Sequence, residues 1–254
     1  MNMTAAVIPA HNEAKTIAEV VEACIGQVDQ VIVVDDGSDD GTLQCLEGIA
    51  DEITVDCLRR HHCGGKAAAL ADGFARALEL NCELVVTLDG DGQHDPKDIT
   101  RLLEAARVYP NHLILGARLR QRHRQPGIRR FANRFADFFV SWASAQRVPD
   151  SQTGFRVYPS QLVSKVRPST EHRHGFVFET AMLIDGARAG FPCAAVVIDS
   201  VYRDDARASY FRPGKDVWEI FCLVAWRILR RGFHLPGLWQ TIKQPAKIHQ
   251  SVPS

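Results

Sequence analysis

The sequence predicts an α/β fold with a mostly parallel central sheet and helices on both faces. Three observations predict it. Short apolar runs alternate with segments of helical period through the first half of the chain. The runs are continuous, as strands covered on both faces read, and do not alternate polar with apolar. Each stops at a polar cluster, namely His11-Asn12-Glu13, Asp35 to Asp39, Asp89 to Asp95, and Arg118. In such sheets ligands gather beyond the carboxyl ends of the strands, so these clusters imply one functional rim.

Taken in order, Thr4–Pro9 reads as a buried strand and Glu13–Ile25 as a helix. Gln30–Val34 is a second strand, Asp39–Ile49 suits a short helix, and Glu52–Leu58 a third strand. Gly64–Leu80, rich in alanine and leucine, has strong helix propensity. Leu84–Leu88 is a strand closed by Asp89-Gly90-Asp91. Pro96 suits the first turn of a helix running to Arg107, where a missing N–H costs nothing. Leu113–Gly116 is one more strand. Further on, Ile128–Ala145 reads as a helix with aromatic faces, Gly154–Tyr158 as a short strand, Phe176–Ala189 as a helix and Cys193–Val201 as a strand. Lys215–Arg230 is a strongly apolar helix with a basic end, Arg227, Arg230 and Arg231. Residues 1–212 are expected to form the main domain and 213–254 a C-terminal apolar helix and tail.

Composition narrows the function classes. The 254 residues suffice for one large domain, and 30 basic residues balance 30 acidic ones, so global charge names no polyanionic partner. The seven cysteines are scattered without a CxxC pair, which fits a reducing compartment. The N-terminus lacks a signal-peptide pattern, and no apolar stretch reaches the roughly 18–20 residues that span a bilayer. A cytoplasmic protein is expected, with contact on the inner face of the membrane left open.

Asp89 and Asp91, one residue apart beyond a buried strand, can reach one hard cation, Mg2+ or Mn2+, which prefers oxygen ligands. Gly90 leaves room for a nucleotide near the backbone, and Gln93 offers a carbonyl or holds a metal-bound water. A solvated acidic turn explains the same residues. A carboxylate at Asp35-Asp36 can accept from a ribose hydroxyl or cap the next segment, with Asp39 or Asp40 the structural acid. Asn12 and Glu13 fit a helix start, which leaves His11 as a ligand contact. Seven arginines lie between Arg118 and Arg134 without an acid among them. Guanidinium forks suit phosphate oxygens, though a solvated charge run is the plainer reading of any one of them. No aromatics interleave with Arg118–Arg130, which argues against single-stranded nucleic acid.

The strings Ile8-Pro9-Ala10-His11-Asn12-Glu13, Val33-Val34-Asp35-Asp36-Gly37-Ser38, Asp89-Gly90-Asp91-Gly92-Gln93-His94, Gly116-Ala117-Arg118, Asp150 to Arg156 and Gly175 to Glu179 occur in that order. Together they resemble family-2 glycosyltransferases of the GT-A (nucleotide-diphospho-sugar transferase) fold, and among these the dolichol- and polyprenyl-phosphate sugar synthases. The resemblance implies an inverting, metal-dependent transfer from a UDP- or GDP-sugar to a polyprenyl phosphate or other lipid-linked acceptor. It implies that Pro9, His11 and Glu13 border the base, and that Val34 and Asp36 contact base and ribose. Gly90 would lie on the ribose, Asp89, Asp91 and Gln93 on the metal, and Arg118 and Arg203 on phosphates. The synthases end with Arg-x-x-Gly-x-Ser-Lys, whereas here Arg203 is followed by Asp204-Asp205-Ala206-Arg207-Ala208-Ser209-Tyr210. A hydroxyl acceptor would require a base, for which Asp150 is the candidate. The alternatives are a transferase acting on a soluble hydroxyl acceptor and a non-catalytic nucleotide-binding or membrane-surface module. The 215–231 helix, apolar nearly all round, is expected either to pack on the domain or in a homodimer, or to lie on a membrane surface.

Overall fold

The structure, a computed structural model, describes residues 3–49, 54–120, 127–170, 175–199, 213–230 and 232–249. The strands are β1 (Thr4–Ala10), β2 (Gln30–Asp35), β3 (Val55–Arg59), β4 (Leu84–Thr87), β5 (Leu113–Ala117), β6 (Arg156–Pro159), β7 (Cys193–Val197) and β8 (Ile248–His249). They form one sheet in the order β3-β2-β1-β4-β6-β5-β7-β8. Every neighbouring pair is parallel except the two that involve β6, which runs antiparallel to both β4 and β5.

The helices are α1 (Ile17–Cys24), α2 (Lys66–Glu79), α3 (Asp98–Val108), α4 (Gly127–Ser144), α5 (Ser160–Lys165), α6 (Gly175–Arg188), α7 (Pro213–Leu229) and α8 (Leu235–Lys243). On β1, Ala6 and Ile8 face the core that includes α1 and α3. Ala5 and Val7 face the core that includes α2, α4, α6 and α7. Both faces of the strand are therefore covered, which is why its sequence is apolar at successive positions. Each fully buried large aliphatic contributes roughly 1.5–3 kcal/mol.

Several segments depart from the sequence expectation. The helix expected over 39–49 is only a 3-10 turn, Gln44–Leu46. Gly41 and Gly48 take positive φ there, and Asp40 accepts from Thr42 N, Thr42 Oγ1 and Ala14 N, which holds the segment as a loop. The first helix begins at Ile17 and not Glu13, because Asn12 is left-handed (φ 58°) and the backbone of residues 12–14 bonds to the loop after β2. Pro96 precedes α3, whose start is set by Asp95 accepting from Lys97 N at 3.0 Å. The antiparallel setting of β6, α8 and the two-residue β8 were not expected. Pro236 and Gly237 hide the α8 helix in a propensity reading. The α7 helix is two-faced: Ile220, Val224 and Ile228 are buried at helical spacing, while Trp218, Phe221, Trp226 and Leu229 are exposed. No helix among the described residues is long and apolar enough to cross a membrane.

Candidate active site

The predicted rim assembles where β1 and β4 end, where β6 begins, and where α2 and α6 start. Asp89 follows β4, and its Oδ1 receives the Lys66 ammonium at 2.5 Å. Lys66 is the first residue of α2 and also pairs with the Glu179 carboxylate at 3.1 Å. Glu179, in the first half of α6, is buried. Two glycines make room for this lysine. A Cβ at Gly154 would lie 2.9 Å from Asp89 Oδ2 and 3.1 Å from Lys66 Nζ, and one at Gly175 would overlap the Lys66 stem. Thr87 Oγ1 donates to Gly154 O at 2.8 Å and fixes that glycine beside β4.

The charges set one another. Burial, the largest single influence, would raise the Asp89 carboxyl, but Lys66, His94 and Arg118 together hold it below the usual carboxylate range. Burial and the Asp89 charge push Asp91 up to about 6. His94, packed on the Phe155 ring, is driven down to about 4 mainly by burial, so it is neutral at physiological pH. Burial would lower the Lys66 ammonium, yet Asp89 and Glu179 raise it, so it remains a cation.

The neighbouring wall is built from the first two loops. A Cβ on Gly90 would stand 3.3 Å from Ile17 Cδ1, 3.5 Å from Pro9 O and 3.6 Å from Glu13 Cγ, so Pro9, Glu13 and Gly90 form one surface. Thr16 Oγ1 donates to Gly90 O at 2.6 Å. His11 Nδ1 lies 3.0 Å from Asp36 O. The Asp36 carboxylate is buried and turned to the loop before α2, accepting from Gly64 N at 2.8 Å and Gly65 N at 2.6 Å and pairing with Arg60 Nε at 2.9 Å. Val34 is in the core, leaving only its backbone for a ligand.

Arg118, just past β5, binds Asp150 rather than standing alone. Its backbone N and Nε both reach Asp150 Oδ2 at 3.1 Å, and a terminal guanidinium nitrogen reaches Oδ1 at 3.4 Å. Gln152 N also donates to Asp150 Oδ1, at 3.3 Å. Asp150, nominated as a base, is thus engaged as the acceptor that aims Arg118. Of the other arginines in that run, Arg120 lies 3.6 Å from Asp199, and Arg130 and Arg134 are exposed. Arg203, Arg207 and Arg231 lie outside the described residues.

Sequence reasoning gave no role to Lys66, Glu179 or Arg156, although the last two fall in the strings that carry the family resemblance. Arg156 is fully buried and donates to the carbonyls of Ser151, Thr153 and Glu179, bracing the loop before β6 against α6. Two signals could have found them. A lysine at the first position of a helix opposes the helix dipole, and an arginine inside the apolar run Phe155 to Tyr158 needs buried partners.

Among the described residues no cluster of three or more histidine, cysteine or acidic side chains forms a metal site. The two carboxylates nonetheless fit a magnesium- or manganese-type ion, which takes its remaining ligands from water and substrate phosphates. Burial and the neighbouring Asp89 charge raise the Asp91 carboxyl, and a divalent cation between the two carboxylates would relieve that repulsion.

The profile of Glycosyl transferase family 2 matches residues 5–166, more than half of the chain. An uncharacterized protein of Methanocaldococcus jannaschii is 30% identical over 83% of this chain and 93% of its own. An undecaprenyl-phosphate mannosyltransferase of Micrococcus luteus is 28% identical over 78% of this chain and 83% of its own. The crystal structure of glucosyl-3-phosphoglycerate synthase from Mycobacterium tuberculosis, in complex with Mn2+, UDP and glucosyl-3-phosphoglycerate, superposes with TM-score 0.62 at 19% identity. That match covers 91% of this chain and 80% of the other.

Proposed function

The chain belongs to glycosyl transferase family 2 and has the GT-A fold, and from that premise we propose that it is an inverting, metal-dependent enzyme that moves a sugar from a UDP- or GDP-sugar to a polyprenyl phosphate. The observation that carries the proposal is the convergence of Asp89, Lys66 and Glu179, with Asp91 and the Asp150-held Arg118, on one rim of the sheet. In this reading Asp89 and Asp91, with Gln93 beside them, hold Mg2+ or Mn2+, which neutralises charge on the departing diphosphate. Lys66 and Arg118 supply preorganised cationic donors to the same oxygens. Arg118 acts as a fork whose orientation Asp150 fixes. Pro9, His11, Glu13 and Gly90 border the nucleoside. Asp36 shapes its floor by pinning the Gly64-Gly65 turn, and Val34 contributes backbone. Arg203, carried by the resemblance, is a further phosphate contact.

The acceptor follows from the chemistry of the nucleophile. A phosphate oxygen attacks the anomeric carbon as it is, the bond to the diphosphate breaks on the opposite side, and the configuration inverts. A hydroxyl acceptor needs a base, and the nominated acid, Asp150, is committed to Arg118 and Gln152. The mannosyltransferase relative, named for its undecaprenyl-phosphate acceptor, supports the same choice.

The test is a thermal-shift panel of UDP-, GDP- and dTDP-sugars with and without Mn2+, followed by transfer to a short-chain polyprenyl phosphate. A donor that binds the folded state raises the melting temperature by mass action. One nucleotide sugar should stand out, only with the cation, and should then label the polyprenyl phosphate. No stabilisation by any nucleotide, or transfer to soluble hydroxyls alone, would defeat the proposal.

A further inference from the structure

The outward face of the C-terminal helices is apolar and basic at once. Trp218, Phe221 and Trp226 on α7, Phe233 in the turn after it, and Trp239 and Ile242 on α8 are each between 42% and 64% exposed. So many large exposed apolar side chains on consecutive elements, Trp218 and Phe221 stacked with ring centroids 5.7 Å apart, mark an interaction site more than single exposed apolar residues do. The elements that carry these residues are also anchored. Ile220, Val224 and Ile228 anchor α7 in the core, and Trp142 Nε1 donates to Phe233 O at 3.1 Å, tying the α7–α8 turn to α4.

Charge selects the partner. After Glu219 the chain contains no aspartate or glutamate through Ser254, but it contains Arg227, Arg230, Arg231, Lys243 and Lys247. The Arg230 guanidinium lies 5.5 Å from the Trp226 ring centroid and the Lys243 ammonium 5.4 Å from that of Trp239. Exposed tryptophans with cations at their rims suit the headgroup layer of a membrane, the rings entering the interface and the cations meeting lipid phosphates. A second copy of the chain fits worse, because a two-fold interface places the same patch against itself and would oppose basic residues to basic residues. We infer that α7, the following turn and α8 form a docking surface for an anionic lipid bilayer. The inference rests on the lipid-phosphate reading of the active site and extends it: the acceptor is met in the plane of the membrane.

The test uses the full chain in a vesicle sedimentation assay, with phosphatidylcholine alone or mixed with phosphatidylglycerol. The protein should pellet with the anionic vesicles at low salt and leave them as salt screens the charges. Exchanging Arg230→Gln or Lys243→Gln should lower partitioning about fivefold for each charge removed. Trp226→Ala combined with Trp239→Ala should lower it about tenfold or more. These side chains are exposed, so the variants should keep the thermal transition and the transfer of sugar to a short-chain polyprenyl phosphate in solution. Wild-type protein that stays in the supernatant with anionic vesicles overturns the inference, even where it transfers sugar to the soluble acceptor. A dimer that the tryptophan pair dissolves, without vesicle binding, overturns it in favour of a second copy. Vesicle binding with the expected variant losses supports the docking surface even if no polyprenyl phosphate is glycosylated, which would instead refute the acceptor reading.

Discussion

Lys66 holds Asp89 at the position where a cation would compete for the same oxygen, with Gly154 and Gly175 shaped around its side chain. Exchanging Lys66→Met removes that competitor. It should raise the affinity of the nucleotide-free protein for Mn2+, read by titration of free ion, while raising the donor KM because a phosphate contact is lost. Unchanged ion affinity would show that the ammonium does not guard the carboxylate. Asp91→Ala should abolish ion binding and transfer but leave the fold. The Asp91 carboxyl adds a pH dependence. Its value of about 6 in the folded protein is above the ordinary 3.8. The folded state therefore binds that proton more tightly, and in metal-free protein the residue costs stability progressively as pH rises through that window, fully above about 6. A cation removes this cost, so the rise in melting temperature on adding Mn2+ should be small near pH 5 and full near pH 7. A Mn2+ shift that is the same at both values would contradict the assignment. Arg118→Lys should recover little of the kcat lost in Arg118→Ala, since a point charge cannot replace the fork that Asp150 orients.

At the scale of elements, α2 lies so close to the sheet that a Cβ on Gly73 would overlap the Val7 side chain and come within 3.2 Å of Val34 Cγ2. Alanine in a helix interior normally gains about 1 kcal/mol over glycine. Here overpacking should reverse the sign, and Gly73→Ala should destabilise by about 1–3 kcal/mol in urea unfolding. A gain in stability would mean that α2 shifts to accommodate it. The same closeness explains what could be read without coordinates. The strands β1, β2, β4 and β5 were legible because burial on both faces makes them uniformly apolar, and Asp89 and Asp91 because they punctuate β4. The segment 39–49 was misread as a helix because Ser38, Asp40 and Thr42 accept from the backbone of the loop after β1, a partnership 25 or more residues away that propensity cannot report. Lys66 and Glu179 meet only because α2 and α6 converge on Asp89, and that convergence belongs to topology. Asp150 was nominated from the sequence as a base, whereas its pairing with Arg118 could not be read there.

At the scale of the whole molecule, the C-terminal segment shares the core of the sheet. Ile220, Val224 and Ile228 of α7 belong to the same buried cluster as Leu115, Val177 and Leu183, and β8 extends the sheet by pairing with β7. The Arg227 guanidinium pairs with Asp185, and Arg188 donates to the carbonyls of Ala143 and Arg227, joining the ends of α4, α6 and α7. Ending the chain at residue 212 would return three large aliphatic side chains' worth of burial to water, on the order of 5–8 kcal/mol at the usual value per side chain. It would also leave Asp185 without the Arg227 guanidinium. Single domains are stable by about 5–15 kcal/mol in total. The truncated protein should therefore unfold without a cooperative transition or show a midpoint far below that of the full chain in urea. The exposed-face variants Trp226→Ala and Trp239→Ala, which keep the inner face, should retain the full-chain midpoint. A truncated protein that unfolds cooperatively within about 1 kcal/mol of the full chain, a small loss against that total, would show α7 to be an appendage, and its inner face would then have to be counted as interaction surface too.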